Sequence, residues 1–370
     1  MSTPVRFLMV GGFLGAGKTT AIGRLAAMYR DRGLNVGIVT NDQAEDLVDT
    51  HTLRGMGFEV GEVAGACFCC RFEDLVETAA GLGEENRPDV ILAEPVGSCT
   101  DLVATVVRPL QSLYADEIEV GPFSVVLKPS HGARVLRSEE AGPRSGFSPK
   151  AEYILRKQIE EADAILINRV DELTPAKVAA LEVAVRRLRE DIAVMPISAA
   201  TGAGFDEWVS WLDSRPPGGG ADLEIDYDTY AEGEAELAWL NRSIAVASDR
   251  PWDVDRVILR LVAALKEMFA GRGAETAHLK IVGLADGFFG VANLISGDGE
   301  PTLSQASGHH AREAEIVVNA RVAGDPSHLE ADVTAAIEAV CLPQGLTVSV
   351  GPSRAFRPGR PEPTHRMSAR

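Results

Sequence analysis

Two domains are predicted, an α/β domain built on a doubly wound, mostly parallel sheet and a smaller α+β domain after it. Three observations carry this. Up to about residue 215, apolar strand-sized runs alternate with helix-like segments, the pattern of a parallel sheet with helices on both faces. The first run leads straight into a glycine-rich turn, "GGFLGAGKTT", that opens a helix. Beyond "SRPPGGGADLE" (214–224) the order of strands and helices changes.

The elements follow in order. "VRFLMV", "NVGIVT", "FEVGEV", "DVILAE", "FSVVL", "AILIN" and "VMPIS" are near-continuous apolar runs, as strands buried on both faces are. Helical segments lie between most of them; "KTTAIGRLAAMYRDRG" closes on Gly33. The stretch at 214–224 breaks every periodicity and reads as a linker. After it come a strand in "ELAWLNRSIAVAS", a helix in "DVDRVILRLVAALKEMFAG", and strands in "HLKIVGLA" and "GFFGVANLI". A strand in "AEIVVNARVA", a helix in "SHLEADVTAAIEAV" and the strand "LTVSV" complete the series. One strand pair apart, this is the split β-α-β, ferredoxin-like pattern. The expected boundaries are 1–215, a linker at 216–230, a second domain at 231–352, and a basic, proline-rich tail at 353–370 that reads as disordered.

A chain of 370 residues, 45% hydrophobic and 24% charged, is long enough for two cores. The formal net charge of −18 argues against a nucleic-acid binder, whose footprint is basic. No apolar run is long enough to cross a bilayer, and "MSTPVRFLMVGG" lacks the parts of a signal peptide. The expected setting is therefore cytoplasmic and reducing, without a membrane partner.

Four pieces point to a nucleotide. Gly12, four residues, then Gly17, Lys18 and Thr19 match the P-loop pattern between a strand and a helix. There the backbone at Gly15, Ala16, Gly17 and Thr20 closes round phosphates. Lys18 meets the β/γ oxygens and Thr19 offers a hydroxyl to Mg2+. Glu94 ends the strand in "DVILAEPVG", where an acid reaches Mg2+ through water or orients the attacking water. Asn168, Arg169 and Asp171 in "AILINRVDEL" resemble the guanine-reading Asn-Lys-x-Asp, with arginine in the lysine position. A carboxylate at Asp171 accepts two hydrogen bonds that adenine cannot supply. Ser198 and Ala199 in "MPISAATGAG" suit the base-side loop. Lys18 and Glu94 are the expected catalytic residues, and no glutamine or arginine finger is visible, so slow intrinsic turnover is expected.

"GEVAGACFCCRFEDL" (61–75) places Cys67, Cys69 and Cys70 in four positions. A vicinal disulfide is strained and unsuited to a reducing compartment, and a nucleophilic thiol lacks a nearby histidine, His51 being the closest. Packed core thiols stay open. A helix N-terminus after the cluster favours thiolate, the form that binds soft metals. Because Cys69 and Cys70 are adjacent, two thiols plus another ligand or water are expected.

With these motifs together, residues 5 to about 215 resemble the CobW-type GTPases, the branch of P-loop NTPases that also holds urease and hydrogenase maturation GTPases. The resemblance implies a GTP-hydrolysing metallochaperone using GTP and Mg2+. It implies that Cys67, Cys69 and Cys70 carry Zn2+ or Co2+ to a client metalloprotein or cofactor-pathway enzyme, a homodimer being one compatible assembly. It also aligns Asn41, Asp42, Glu45 and Asp49 of "NDQAEDLVDT" with a switch segment whose acids approach metal, Asp42 and Glu45 first. Gln43 and Ala44 depart from that pattern, as does Lys128-Pro129 where an aspartate is usual. The alternatives are a GTPase gating cofactor loading of a client, such as a cobalamin-dependent enzyme, without carrying metal, and a P-loop small-molecule kinase. Cys99 and Cys341 read as packing thiols and His309-His310 as a solvated pair. Trp239, Trp252, Phe288 and Phe289 read as packing of the second domain.

Overall fold

A computed structural model describes residues 3–42, 48–82, 87–136, 148–216, 220–294 and 299–368, with Asp42 and Val48 described by backbone alone. Two units emerge. One takes the chain as far as residue 42, then Met56 to Gly233, and Arg360 onward; the other takes residues 48–55 and Glu234 to Gly359.

The first unit begins with β1 (Val5–Gly11), α1 (Lys18–Asp31) and β2 (Val36–Asp42); α2 (Val48–Gly55) follows in the chain and belongs to the second unit. Next come β3 (Glu59–Ala64), α3 (Phe72–Gly81), β4 (Val90–Glu94), a π-helical turn at Val103–Val107, α4 (Arg108–Leu113) and β5 (Ile118–Val120). The rest is β6 (Ser124–Leu127), α5 (Pro129–Val135), α6 (Pro149–Glu161), β7 (Ala164–Ile167), α7 (Pro175–Leu188), β8 (Ala193–Pro196), α8 (Phe205–Ser214) and α9 (Tyr227–Ala235). The sheet runs β3-β2-β4-β1-β6-β7-β8 with β5 beside β1, and its pairings are parallel, as at Phe7↔Ile91 and Ile38↔Leu92. Every residue of β4, β6 and β7 is buried, which is why these strands read as unbroken apolar runs. All seven predicted strands are present. Three-residue β5 shows no run of its own, and α9 begins inside the stretch expected to be linker.

The second unit holds β9 (Leu237–Asp253), α10 (Val254–Gly271), β10 (Thr276–Ala285), β11 (Phe288–Leu294), β12 (Thr302–Gln305), β13 (His310–Ala323), α11 (Pro326–Cys341) and β14 (Thr347–Phe356). Its sheet order is β12-β11-β10-β13-β9-β14, a ferredoxin-like core of β10, β13, β9 and β14 extended by the β11–β12 pair. Period-2 alternation divides the sheet: Ile281 joins the large core with Leu261 and Val333, whereas Val282 joins Val291 and Val317 in a smaller cluster with Phe289. Both helices start on aspartate caps, Asp253 accepting from the Arg256 amide and Asp325 from that of Ser327. Trp239 and Cys341 are buried as expected. Phe288 is not core: it is 52% exposed and stacks on His309, which pairs with Asp286 at 3.1 Å. His309 is thus held by a ring and a carboxylate rather than solvated, and His310 opens β13.

The tail differs most from expectation. β14 continues to Phe356 through its pairing with β9, and residues 360–368 are fixed on the first unit by backbone and side-chain hydrogen bonds described below.

Candidate functional site

The carboxyl ends of the parallel strands carry the site, where ligands of such sheets bind. Gly12 and Gly17 have φ of 135° and 98°, a region side chains avoid. A Cβ would also lie 2.4 Å from the Val126 carbonyl oxygen at Gly12 and 2.5 Å from Asn168 Nδ2 at Gly17. Only glycine keeps this loop open, so the cradle suits phosphate. Gly15 also has positive φ (69°) and Ala16 is buried, whereas Thr20 is exposed. Lys18 and Thr19 open α1, both buried. Thr19 donates to Glu94 Oε1 at 3.0 Å, and Lys18 Nζ lies 3.7 Å from the same oxygen. A hydroxyl and a carboxylate meeting at a phosphate loop form an oxygen donor set that suits Mg2+.

The base side is tied to that loop through Asn168. Its Nδ2 donates to the Ala16 carbonyl at 2.8 Å, and its Oδ1 accepts from the amides of Arg169 at 2.8 Å and Ala199 at 2.9 Å. Arg169 takes a left-handed φ of 61° and its guanidinium lies 3.7 Å from Glu172. Asp171 sits in the exposed turn that follows, and Ser198 accepts from the Thr201 amide within its own loop. Arg24 of α1, which the motif reading overlooked, clamps that loop by donating to the carbonyls of Ala199 and Ala200 at 2.9 and 2.7 Å. Lys128 is buried beside this region. Desolvation, with Arg169 and Arg134 nearby, pushes its ammonium down to about 8.

The cysteine loop lies between β3 and α3. Its sulfurs converge: Cys67 to Cys69 is 2.9 Å, Cys67 to Cys70 3.3 Å and Cys69 to Cys70 3.8 Å. All three therefore face one point, where two were expected. The turn that does this places the Cys70 and Arg71 amides on the Cys67 carbonyl at 2.9 and 3.0 Å. Asn41 pins it: Nδ2 donates to Val63 and Ala66 at 2.8 and 2.7 Å, and Oδ1 accepts from the Phe68 amide at 2.8 Å. The asparagine near the end of β2, the strand that pairs with β3 through Asn41↔Val63, is the signal that could have found it.

The thiols are not alike. Hydrogen bonds from Cys69, Cys70 and Cys99 hold Cys67 well below the usual thiol range. Contact with the Cys67 sulfur pushes Cys69 up, and pushes Cys70 up to about 11. Three crowded sulfurs favour one charge; the helix start does not make all of them thiolates. Cys99, expected to be mere packing, is buried and in this network.

Residues 360–368 lie over the loop. The Glu362 amide donates to Cys70 Sγ at 3.3 Å, the Thr364 amide to the Cys69 carbonyl at 2.8 Å and the Thr364 hydroxyl to the Cys70 carbonyl at 3.3 Å. His365 meets Glu73 at 3.2 Å and packs edge-on against Phe72. Arg366 donates to Asp101 at 2.8 Å, and the Met367 amide to Ala104 at 2.8 Å. Asp101 is 1% exposed and also accepts from Tyr227 at 2.7 Å.

Asp49, in α2, pairs with Lys280 of the second unit at 2.6 Å. Glu45 and the Asp42 side chain lie outside the described residues.

The family model of the CobW/HypB/UreG nucleotide-binding domain matches residues 6–196, just over half of the chain. The chain belongs to the CobW/HypB/UreG family. The matched span runs from β1 to β8 and includes the phosphate loop, the cysteine loop, Glu94 and Asp171. Among relatives of this CobW/HypB/UreG chain, the zinc chaperone YeiR of Escherichia coli K12 is 29% identical over 179 residues, 47% of this chain and 49% of that protein. The zinc chaperone CobW of a Sinorhizobium species is 37% identical over 97 residues, 24% of this chain and 27% of that protein. The chain thus spans half the length or less of these two relatives. The Zn(II)-bound YjiA GTPase from E. coli aligns over 92% of this chain and 99% of its own, at 14% identity and a TM-score of 0.39.

Proposed function

We propose that this chain is a GTPase that carries a soft divalent metal, zinc or cobalt, and hands it to a client metalloprotein or cofactor-pathway enzyme. The convergence of three thiols within 4.8 Å of one another, on the loop that follows β3 of the nucleotide-binding sheet and opens α3, carries this reading. Thiolates select zinc and cobalt over magnesium. The names of the relatives, two of them zinc chaperones, support zinc as the first metal to try.

In this reading the glycine loop and Lys18 bind the phosphates, Asp171 reads the guanine edge, and Asn168 holds phosphate and base loops in register. Thr19 and Glu94 would hold Mg2+, which supplies charge neutralisation on the transferring phosphoryl group. Glu94, buried against Lys18 and Thr19, orients water. Asp42 and Glu45 remain proposed switch acids. Cys67 begins as the thiolate, and Cys69 and Cys70 give up protons as the cargo metal enters.

The test is a zinc titration of the full chain with and without a non-hydrolysable GTP analogue, beside Cys69→Ala. Tight binding that changes with nucleotide and weakens in the variant by at least the roughly 10- to 100-fold that loss of an outer-shell partner alone costs is expected. Equal affinity in both proteins, indifferent to nucleotide, would overturn the carrier role.

A further inference from the structure

Residues 361–367 form no helix or strand, yet they are fixed on the first unit as an extended run. Exposure alternates along them: Pro361 is buried and Pro363, His365 and Met367 are half-buried, while Glu362, Thr364 and Arg366 are exposed. Period two marks an extended chain laid on a surface, and prolines at 358, 361 and 363 favour that form before contact. The contacts are those of peptide recognition, main-chain bonds with side-chain anchors between them. The amides of Glu362, Thr364 and Met367 donate to Cys70 Sγ at 3.3 Å, the Cys69 carbonyl at 2.8 Å and the Ala104 carbonyl at 2.8 Å. Arg366 donates to Asp101 at 2.8 Å and to the Leu223 carbonyl at 2.9 Å, and Asp101 is 1% exposed. His365 stands edge-on to Phe72, 5.0 Å between rings, and meets Glu73. These bonds hold the segment without enclosing it. Those at Glu362, at the Thr364 hydroxyl and at His365 are open to solvent, and Arg366 keeps 41% of its side chain exposed. A segment held so opens at low cost.

We propose that the groove formed by the cysteine loop, Phe72, Asp101 and Ala104 is a peptide-docking site, and that residues 361–367 occupy it in place of an extended, arginine-bearing segment of a partner protein. Charge selects that partner. Asp101 and Glu73 receive Arg366 and His365, and the chain as a whole carries a net charge of −18, which draws a basic segment in. Main-chain bonds accept many sequences, so specificity rests on an arginine for Asp101 and a ring for Phe72. The resident segment lowers the partner's apparent affinity by the fraction of time the groove is free. Because Cys70 lies under the segment, exchange also places the partner beside the three thiols. Naming that partner as the recipient of the metal rests on the carrier reading above; the docking itself does not.

The experiment uses the full chain free of metal and nucleotide, with a fluorescent peptide of residues 358–368 as the probe, read by anisotropy. Wild type is compared with Arg366→Ala and with Thr364→Pro, which removes the amide on the cysteine loop and leaves Asp101 untouched. Both variants loosen the resident segment, so both should bind the peptide about tenfold more tightly than wild type. The same peptide with alanine at the Arg366 position should bind the variants about tenfold more weakly. The intact peptide should also return Cys70 labelling by a thiol reagent in Arg366→Ala to the wild-type rate. Equal binding to wild type and both variants, no binding to any of them, or binding that leaves Cys70 labelling unchanged would overturn the docking site. Zinc plays no part in this readout, so such a failure leaves the carrier role standing, and failure of the zinc titration leaves the docking site standing.

Discussion

Glu161 shows how a single buried residue supports the region around Cys99. It closes α6 and is fully buried; Thr100 donates to it at 3.1 Å and so does the Val103 amide at 3.1 Å. Burial pushes its carboxyl up to about 8, from an ordinary value of 4.5. Between those two pH values an unfolded chain releases a proton that the folded chain retains. Its contribution is therefore full below pH 4.5, falls as pH rises towards 8, and is constant above. Glu161→Gln should match wild type in Tm near pH 4.5, exceed it at pH 8 and lose the intervening slope; a slope retained in the variant would show the carboxyl to be ionised. Asn168→Ala removes three hydrogen bonds, two of them buried, so chemical denaturation should register a loss of about 3 kcal/mol at about 1 kcal/mol each. Asp171 is exposed in its turn, so Asp171→Ala should leave stability unchanged. It should nonetheless weaken GTP at least tenfold relative to ATP, since binding loses the paired guanine contact; equal loss for both nucleotides would contradict base reading.

At the scale of elements, the main strands and the phosphate loop were visible because their causes are local: burial on both faces, and glycines where no Cβ fits. The cysteine loop was visible as a motif, but its three-way convergence was not, because it depends on Asn41, distant in sequence. The segment at 360–368 was unreadable for the opposite reason. Proline and basic residues match a disordered composition, and what fixes "THR" is the set of partners at Cys69, Glu73 and Asp101. The π-helical turn at Val103–Val107 likewise has no signature in its three valines, alanine and threonine. Residues 360–368 cover Cys70, the one half-exposed thiol of the loop. Arg366→Ala removes its charge-assisted bonds to Asp101. The variant is expected to raise the rate of Cys70 labelling by a thiol reagent about tenfold, through more frequent local opening. Deleting residues 360–370 should raise it further. Labelling at the wild-type rate in both would show that the segment does not guard the thiol.

For the whole molecule, the family match runs from β1 to β8 and leaves the ferredoxin-like sheet, β9 to β14, outside it. A net charge of −18 suits attraction of divalent cations and basic client surfaces rather than nucleic acid. Charge alone does not choose a metal; the sulfur cluster does. In the proposed function, nucleotide state governs how firmly those sulfurs hold their metal. This coupling is tested most directly by loading the chain with zinc and GTP and following phosphate release and zinc transfer to a chromophoric chelator in one turnover. Zinc should stay bound with a non-hydrolysable GTP analogue and leave at the rate of phosphate release with GTP. Transfer at one rate with GTP, GDP, the analogue or no nucleotide would contradict it.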